Sequence, residues 1–452
     1  MIRPWVGVLS VIVALGCGRE QPLCVAVIGD YGSDDAAEAQ VAAQVAGWKP
    51  DLVVTVGDNN YPDGAAETID RNIGKYYGAF IAPYRGAFGA GATANRFFPA
   101  LGNHDWRTAG AQPYLDYFEL PGNERYYEVA RGSVDLFLLD SDPQEPDGIT
   151  RDSVQARWLR DALARSTAQH RWVLFHHPPY SSGPHGPNLE LQWPFRAWGA
   201  TAVFSGHDHD YERLEVDGMP YVVVGTGGKH LYAFRDPLPG SQVRIAGRHG
   251  ALRIDVTRRS ADAEFASTSD ATSDRFALPP ASALPAPAPL VAAGSSWKIR
   301  DALEPASGWL AAGFDTTAWA AAATPFRIVD RGAAAGAPPR TTYYRIEFEV
   351  AAPESLGSLE LGVPRDQPAI AFLNGREVAR VERSPEFERK WLLPRGPRGD
   401  ANAEPILEHR WLDPRALAAG TNVLAIAIQH TPGDGGDPSF DAELVAYPRT
   451  AP

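Results

Sequence analysis

Five short segments of the chain concentrate side chains that hold metal ions and move protons. They are Gly29-Asp30-Tyr31-Gly32, Gly57-Asp58-Asn59-Asn60-Tyr61, Gly102-Asn103-His104-Asp105, His176-His177-Pro178-Pro179 and Gly206-His207-Asp208-His209. Seven of the eleven histidines lie between His104 and His209. Only Cys17 and Cys24 occur, so a cysteine-ligated zinc site and a disulfide framework are both excluded. Any metal must be held by oxygen and imidazole. The inventory divides by hardness: Asp30 and Tyr61 are hard and anionic, suited to Fe(III), with His209 completing that set. Asn103, His176 and His207 are neutral and suit a divalent ion such as Fe(II), Zn(II) or Mn(II). Asp58 can bridge the two, and the i, i+2 spacing of His207 and His209 lets one extended loop serve both ions. Two metals ~3.5–4 Å apart can clamp the attacking and leaving oxygens of an in-line phosphoryl displacement.

These segments need elements that bring them to one place. Most follow a short β-rich apolar run, among them Cys24-Val25-Ala26-Val27-Ile28, Leu52-Val53-Val54-Thr55-Val56, Trp172-Val173-Leu174-Phe175 and Ala202-Val203-Phe204. Helical stripes lie between them: Val41, Val45 and Trp48, then Val154, Trp158, Leu159, Ala162 and Leu163. Strands alternating with helices predict a layered α/β core over residues 22–277, and the carboxyl ends of such strands converge on one crevice. His177 reads as a neighbour of the ligand His176, His170 as a helix cap, and His409 as a surface residue. Gly225-Thr226-Gly227-Gly228-Lys229 lacks the spacing and the following Ser or Thr of a phosphate loop.

The composition changes twice. Residues 1–17 carry Arg3, an apolar stretch from Trp5 to Leu15 and then Gly16-Cys17, which resembles the leader and lipobox of a bacterial lipoprotein. That predicts export to the periplasm, outer membrane or cell surface, with membrane contact only through a lipid anchor at Cys17. Residues 278–293 are rich in Pro and Ala and read as a linker. From 294 to 452 the apolar period becomes two, as in Tyr344, Ile346, Phe348 and Val350, and Asn374-Gly375 is a hairpin turn, so this part reads as an all-β sandwich. Such a domain is expected to bury its own core and leave the chemistry to the first.

Taken in order, Asp30, then Asp58 and Tyr61, then Asn103 and His104, then Val173 to His176, then His207 and His209 resemble the five motif blocks of the purple acid phosphatases: GDxG, GDxxY, GNH[DE], VxxH and GHxH. This is a branch of the calcineurin-like metallophosphoesterases, and the likeness spans roughly residues 24–260. Gly32, where phosphodiesterase-type relatives carry His, and Tyr61, which they lack, place the resemblance with the purple enzymes. It implies a β-sandwich flanked by helices, a purple tyrosinate–Fe(III) pair, and phosphomonoester hydrolysis by a metal-held hydroxide at acid pH. It also implies that His104 contacts the substrate phosphate. His185, nine residues past the VxxH ligand, would orient phosphate or protonate the leaving alkoxide, a role imidazole suits at mildly acidic pH. Thr341 to Arg345, Ala371 to Val378 and Ala418 to Ala425 resemble galactose-binding-like jelly-roll modules, whose Trp297, Trp309, Trp319, Trp391 and Trp411 either stack on glycans or fill the core.

The expected activity is a binuclear-metal acid phosphatase on small phosphomonoesters. The alternatives are a phosphodiesterase of the same superfamily and a surface glycan-binding lipoprotein whose phosphatase domain is inactive. A net charge of -13 argues against nucleic acid as a partner.

Overall fold

The computed structural model describes residues 22–303, 305–324, 326–327, 340–364, 368–381, 407–430 and 439–449. The leader with Cys17, and Trp391, lie outside them. Among the described residues no helix is long and apolar enough to cross a membrane.

Thirteen strands build the first domain. They are β1 (Leu23–Ile28), β2 (Leu52–Thr55), β3 (Phe97–Pro99), β4 (Tyr127–Arg131), β5 (Val134–Leu138), β6 (His170–Leu174), β7 (Ala202–Ser205), β8 (Tyr211–Val216), β9 (Met219–Val224), β10 (Ser241–Ile245), β11 (Gly250–Val256), β12 (Ala261–Ser267) and β13 (Ser273–Leu278). One sheet runs β13-β12-β11-β1-β2-β3 and the other β10-β8-β9-β7-β6-β5-β4. Their inner faces share one core, in which Val25, Val27 and Val54 meet Leu136, Trp172, Leu174 and Phe204. Alternate residues point outward: Ala26 and Ile28 pack on Val41 and Val45 of the helix Ala36–Trp48. On the far side Val173 and Phe175 pack on Leu159 and Leu163 of the helix Val154–Arg165. Both helices start on a side-chain cap, Asp35 and Ser153, which satisfies orphan N–H groups. The result is the expected β-sandwich flanked by helices.

The parallel pairings decide where function sits. β1 pairs parallel with β2 and β2 with β3, while β5, β6, β7 and β9 pair parallel in the other sheet. Parallel neighbours present their carboxyl ends on one edge, and all five polar segments follow such ends.

Among its described residues the second part pairs antiparallel, in a four-stranded, a six-stranded and a two-stranded sheet. Ala369–Leu373 and Arg376–Val381 form the expected hairpin, with Asn374 and Gly375 both at positive φ, 51° and 81°. Trp297, Trp309 and Trp319 are buried and fill cores. Three local readings change. Ala288–Val291, expected in the linker, is a strand paired with Glu443–Pro448; Pro289 is tolerated because this is an edge strand. His170 opens β6 rather than capping a helix, because the helix ends at Arg165 on Ser166. His409 is not a surface residue: its side chain is 9% exposed, against Glu360.

Candidate active site

The turn after β1 carries Asp30, the turn after β2 carries Asp58 and Tyr61, and the loop after β3 carries Asn103 and His104. His176 follows β6, and His207 and His209 follow β7. Asp30, Asp58 and His207 hold positive φ of 56°, 54° and 69°, a conformation costly outside glycine that clusters at functional sites. Gly32 leaves no alternative to glycine, since a Cβ there would lie 1.8 Å from the Asn59 carbonyl oxygen. The missing histidine at this position is therefore a packing requirement of the turn.

The nine expected site residues come together. Tyr61 Oη lies 2.8 Å from Asp58 Oδ2, 3.3 Å from Asp30 Oδ1 and 3.3 Å from His209 Nε2. His176 Nε2 lies 3.0 Å from Asn103 Oδ1, 3.2 Å from His207 Nδ1 and 3.4 Å from Asp58 Oδ1. Asp30, Asp58 and His176 offer donor atoms within 4.8 Å of one another, all buried. His104 donates its backbone N–H to Asp58 Oδ1 at 2.8 Å, and its Nε2 is 3.9 Å from Asp58 Oδ2. The His185 ring sits 4.2 Å from that of His207.

The chemistry of this donor set fits a cation. His176 directs Nδ1 at the Val56 carbonyl, 2.9 Å away, and His209 directs Nδ1 at the His230 carbonyl, 2.7 Å away. A carbonyl only accepts, so each Nδ1 carries hydrogen and each neutral ring turns an Nε2 lone pair toward carboxylate, amide or phenol oxygen. Lone pairs converging on lone pairs need a positive charge among them, and backbone carbonyls behind ligand imidazoles are the usual outer support of metal sites. The neighbouring carboxylates favour positive charge here: burial works against the His176 and His209 imidazolium forms, yet Asp58 and Asp30 outweigh it and raise both. Burial likewise works against the Asp58 carboxylate, and His176 and His104 outweigh it to hold it below its usual range. Burial, followed by Asp58 and Asp30, pushes the Tyr61 phenol well above 10, so its deprotonation requires a strong neighbouring cation. His207 is lowered by burial and then by His176 and His177, which keeps it a neutral donor.

Two buried acids escaped the sequence reading. Asp105 accepts from Gly102 N at 2.9 Å and from Asn59 Nδ2 at 2.8 Å, and Asn59 Nδ2 also reaches the Ala100 carbonyl at 2.7 Å. This network welds the turns after β2 and β3. Burial, then Asp58, pushes the Asp105 carboxyl up to about 7. Asp208 accepts from His185 N at 2.9 Å and from the Ser181 hydroxyl, fixing the loop that carries His185. Each lies inside a segment already singled out; the signal was an acid beside a ligand that has no ligand duty of its own.

Beside His207 opens a cleft of about 410 Å³, lined by Pro143, Ile149, His177, His185 and Leu189 among others. His177 is fixed there by Ser141, whose Oγ is 3.0 Å from its Nδ1, and burial followed by His176 lowers it to about 3. It belongs to the cleft wall.

The chain is similar to known proteins over its first domain. The calcineurin-like phosphoesterase family profile matches residues 24–211. The chain is 25% identical over 266 residues to tartrate-resistant acid phosphatase type 5 of Rattus norvegicus, covering 50% of this chain and 77% of the relative. It is 28% identical over 238 residues to purple acid phosphatase 3 of Arabidopsis thaliana, covering 45% and 62%. Among solved structures, a purple acid phosphatase of yellow lupin (Lupinus luteus) overlaps 57% of this chain and 53% of its own at 19% identity, with a TM-score of 0.45. The chain thus carries a calcineurin-like phosphoesterase domain whose relatives include purple acid phosphatases, with a β-rich C-terminal part beyond it.

Proposed function

We propose that the protein is a binuclear-metal acid phosphatase hydrolysing small phosphate monoesters. The observation that carries this is Tyr61 Oη beside Asp58, Asp30 and His209, while His176, Asn103 and His207 meet on the other side of Asp58. Asp30, Tyr61 and His209 would hold Fe(III), Asn103, His176 and His207 a divalent ion (Fe(II), Zn(II) or Mn(II)), and Asp58 both. When bound, the ions supply Lewis acidity and a nucleophile usable at acid pH. The rest is work for the chain. His104 Nδ1 is 2.5 Å from the Pro62 carbonyl, which fixes the ring and leaves Nε2 to donate to a phosphate oxygen when protonated. His185, at the cleft mouth against His207, is placed to give a proton to the departing alkoxide. The cleft would receive the alcohol.

Elemental analysis with a visible spectrum tests the centre, and turnover of matched mono- and diesters tests the substrate class. Close to two ions per chain, iron among them, with a charge-transfer band and monoester preference is the expected result. Colourless iron-loaded protein would remove the Tyr61 ligand, and diester preference would make the enzyme a phosphodiesterase.

A further inference from the structure

The cleft beside His185 has walls from two long segments, and both lean on the second domain. Arg151 stands two residues from the cleft-lining Ile149. Its Nη1 donates to Glu360 Oε1 at 2.8 Å and its Nη2 reaches Glu443 Oε1 at 3.4 Å. Glu360 is 3% exposed and is gripped from behind: Tyr447 Oη donates to its Oε2 at 2.6 Å and His409 Nδ1 lies 3.0 Å from its Oε1. The second segment is tied to the first by Trp193, whose Nε1 donates to the carbonyls of Ile149 and Glu190 at 3.2 and 2.9 Å. Three residues on, the buried Arg196 donates to the Pro285 and Pro448 carbonyls at 3.0 and 3.2 Å and lies over the Tyr447 ring. Trp411 packs on the apolar cluster that contains Ile149, Tyr180, Leu191 and Trp193. The two domains are therefore joined by much more than a linker, and the junction backs the cleft.

We propose that the β-sandwich is a structural wall of the substrate cleft, with Arg151 as the positioning residue that sets the Ile149 segment and so the size of the alcohol the cleft admits. This rests on the phosphoesterase reading. Pro143, Ile149 and Leu189 line that cleft together with His177, Asn188 and Glu190, and Leu189 is 61% exposed at its rim, beside His185. A phosphate held at the metal-ligand side would direct its alcohol toward them.

The test uses the full chain. In Arg151→Met, peptides covering 143–153 and 186–191 should exchange amide hydrogens about tenfold faster, the low end for one charge-assisted hydrogen bond lost. KM for naphthyl phosphate, whose bulky alcohol would reach the cleft walls, should rise about tenfold on the same grounds while kcat, metal content and KM for methyl phosphate stay put. Arg151→Lys should restore most of the affinity. Should Arg151→Met prove insoluble, Glu360→Gln, which keeps shape and the Tyr447 contact, carries the same readouts. Unchanged exchange in both segments overturns the wall, and an equal KM rise for both esters overturns the selectivity. A wild type inactive on every phosphoester would sink the functional reading, whereas the exchange result would still decide whether the sandwich supports the cleft.

Discussion

The site has two sides built in opposite ways. The side proposed to hold metal consists of short turns at the ends of parallel strands, and its outer support is local: Val56, Pro62 and His230 supply carbonyls, and Asp105 locks the turns. The cleft side consists of the long segments at 141–153 and 178–191, and part of its support comes from Glu360, Tyr447 and Pro448 in the other domain. Strand ends give a rigid frame that tolerates little change, as reaction chemistry requires. Long loops permit variation in what is admitted, at the cost of needing an external brace.

The largest expected effects fall on the ligand side. Asp58→Ala removes the residue that touches both ligand sets, and should abolish stoichiometric metal binding and reduce hydrolysis to background. Tyr61→Phe, by contrast, should erase the visible band while leaving some hydrolysis, because Asp30, Asp58 and His209 remain. A variant Asp58→Ala that kept two ions would mean the two sets do not share that carboxylate.

Asp105→Ala comes next. It strips acceptors from Asn59 and Gly102 within a fully buried network, and each orphaned donor costs roughly 1–3 kcal/mol. Metal affinity should fall about 10–100-fold, as for other residues that orient ligands. Wild-type metal affinity in a destabilised Asp105→Ala would show that the turns hold their ligands without this lock.

His185→Ala sharpens the contrast between the sides, since it should leave both metals in place. Its kcat should drop ~10²–10⁴-fold on alkyl phosphates and far less on activated aryl phosphates, whose leaving groups need no proton. Equal losses on both would make His185 a residue that holds phosphate and not an acid.

The difference between the two sides also explains what the sequence disclosed. Gly-Asp, Gly-Asn-His and Gly-His-Asp-His at the ends of β-rich runs are local patterns, so ligands and the layered core could be read together. The hairpin at Asn374-Gly375 was legible for the same reason, as both residues accept positive φ. Arg151 and Glu360 are 209 positions apart and neither sits in a motif. Nothing local distinguishes Glu360 from the exposed acids around it; its burial depends on where two domains meet. His409 was misread for that reason, and the strand at Ala288–Val291 because proline-rich composition hides an edge strand.

The smallest expected effect reports on that junction through pH. Burial raises the Glu360 carboxyl, but the contact with His409, the charge of Arg151 and the Tyr447 hydroxyl outweigh it and hold it at about 2, against an ordinary value of 4.5. An acid whose pKa is depressed by folding adds stability that is complete above its unfolded value and disappears as pH falls through the folded one. Between pH 4.5 and about 2 the wild type should therefore lose Tm faster than Glu360→Gln. At pH 6 the variant should melt lower, by about 2–4 °C for each kcal/mol of lost interaction, and the gap should close as pH approaches 2. Other acids, including the metal-side carboxylates, titrate in both proteins, so the difference between the two curves isolates Glu360. Parallel curves across that range would mean that the carboxylate gains nothing from its partners, and the brace would then rest on the packing of Trp411 and Arg196 alone.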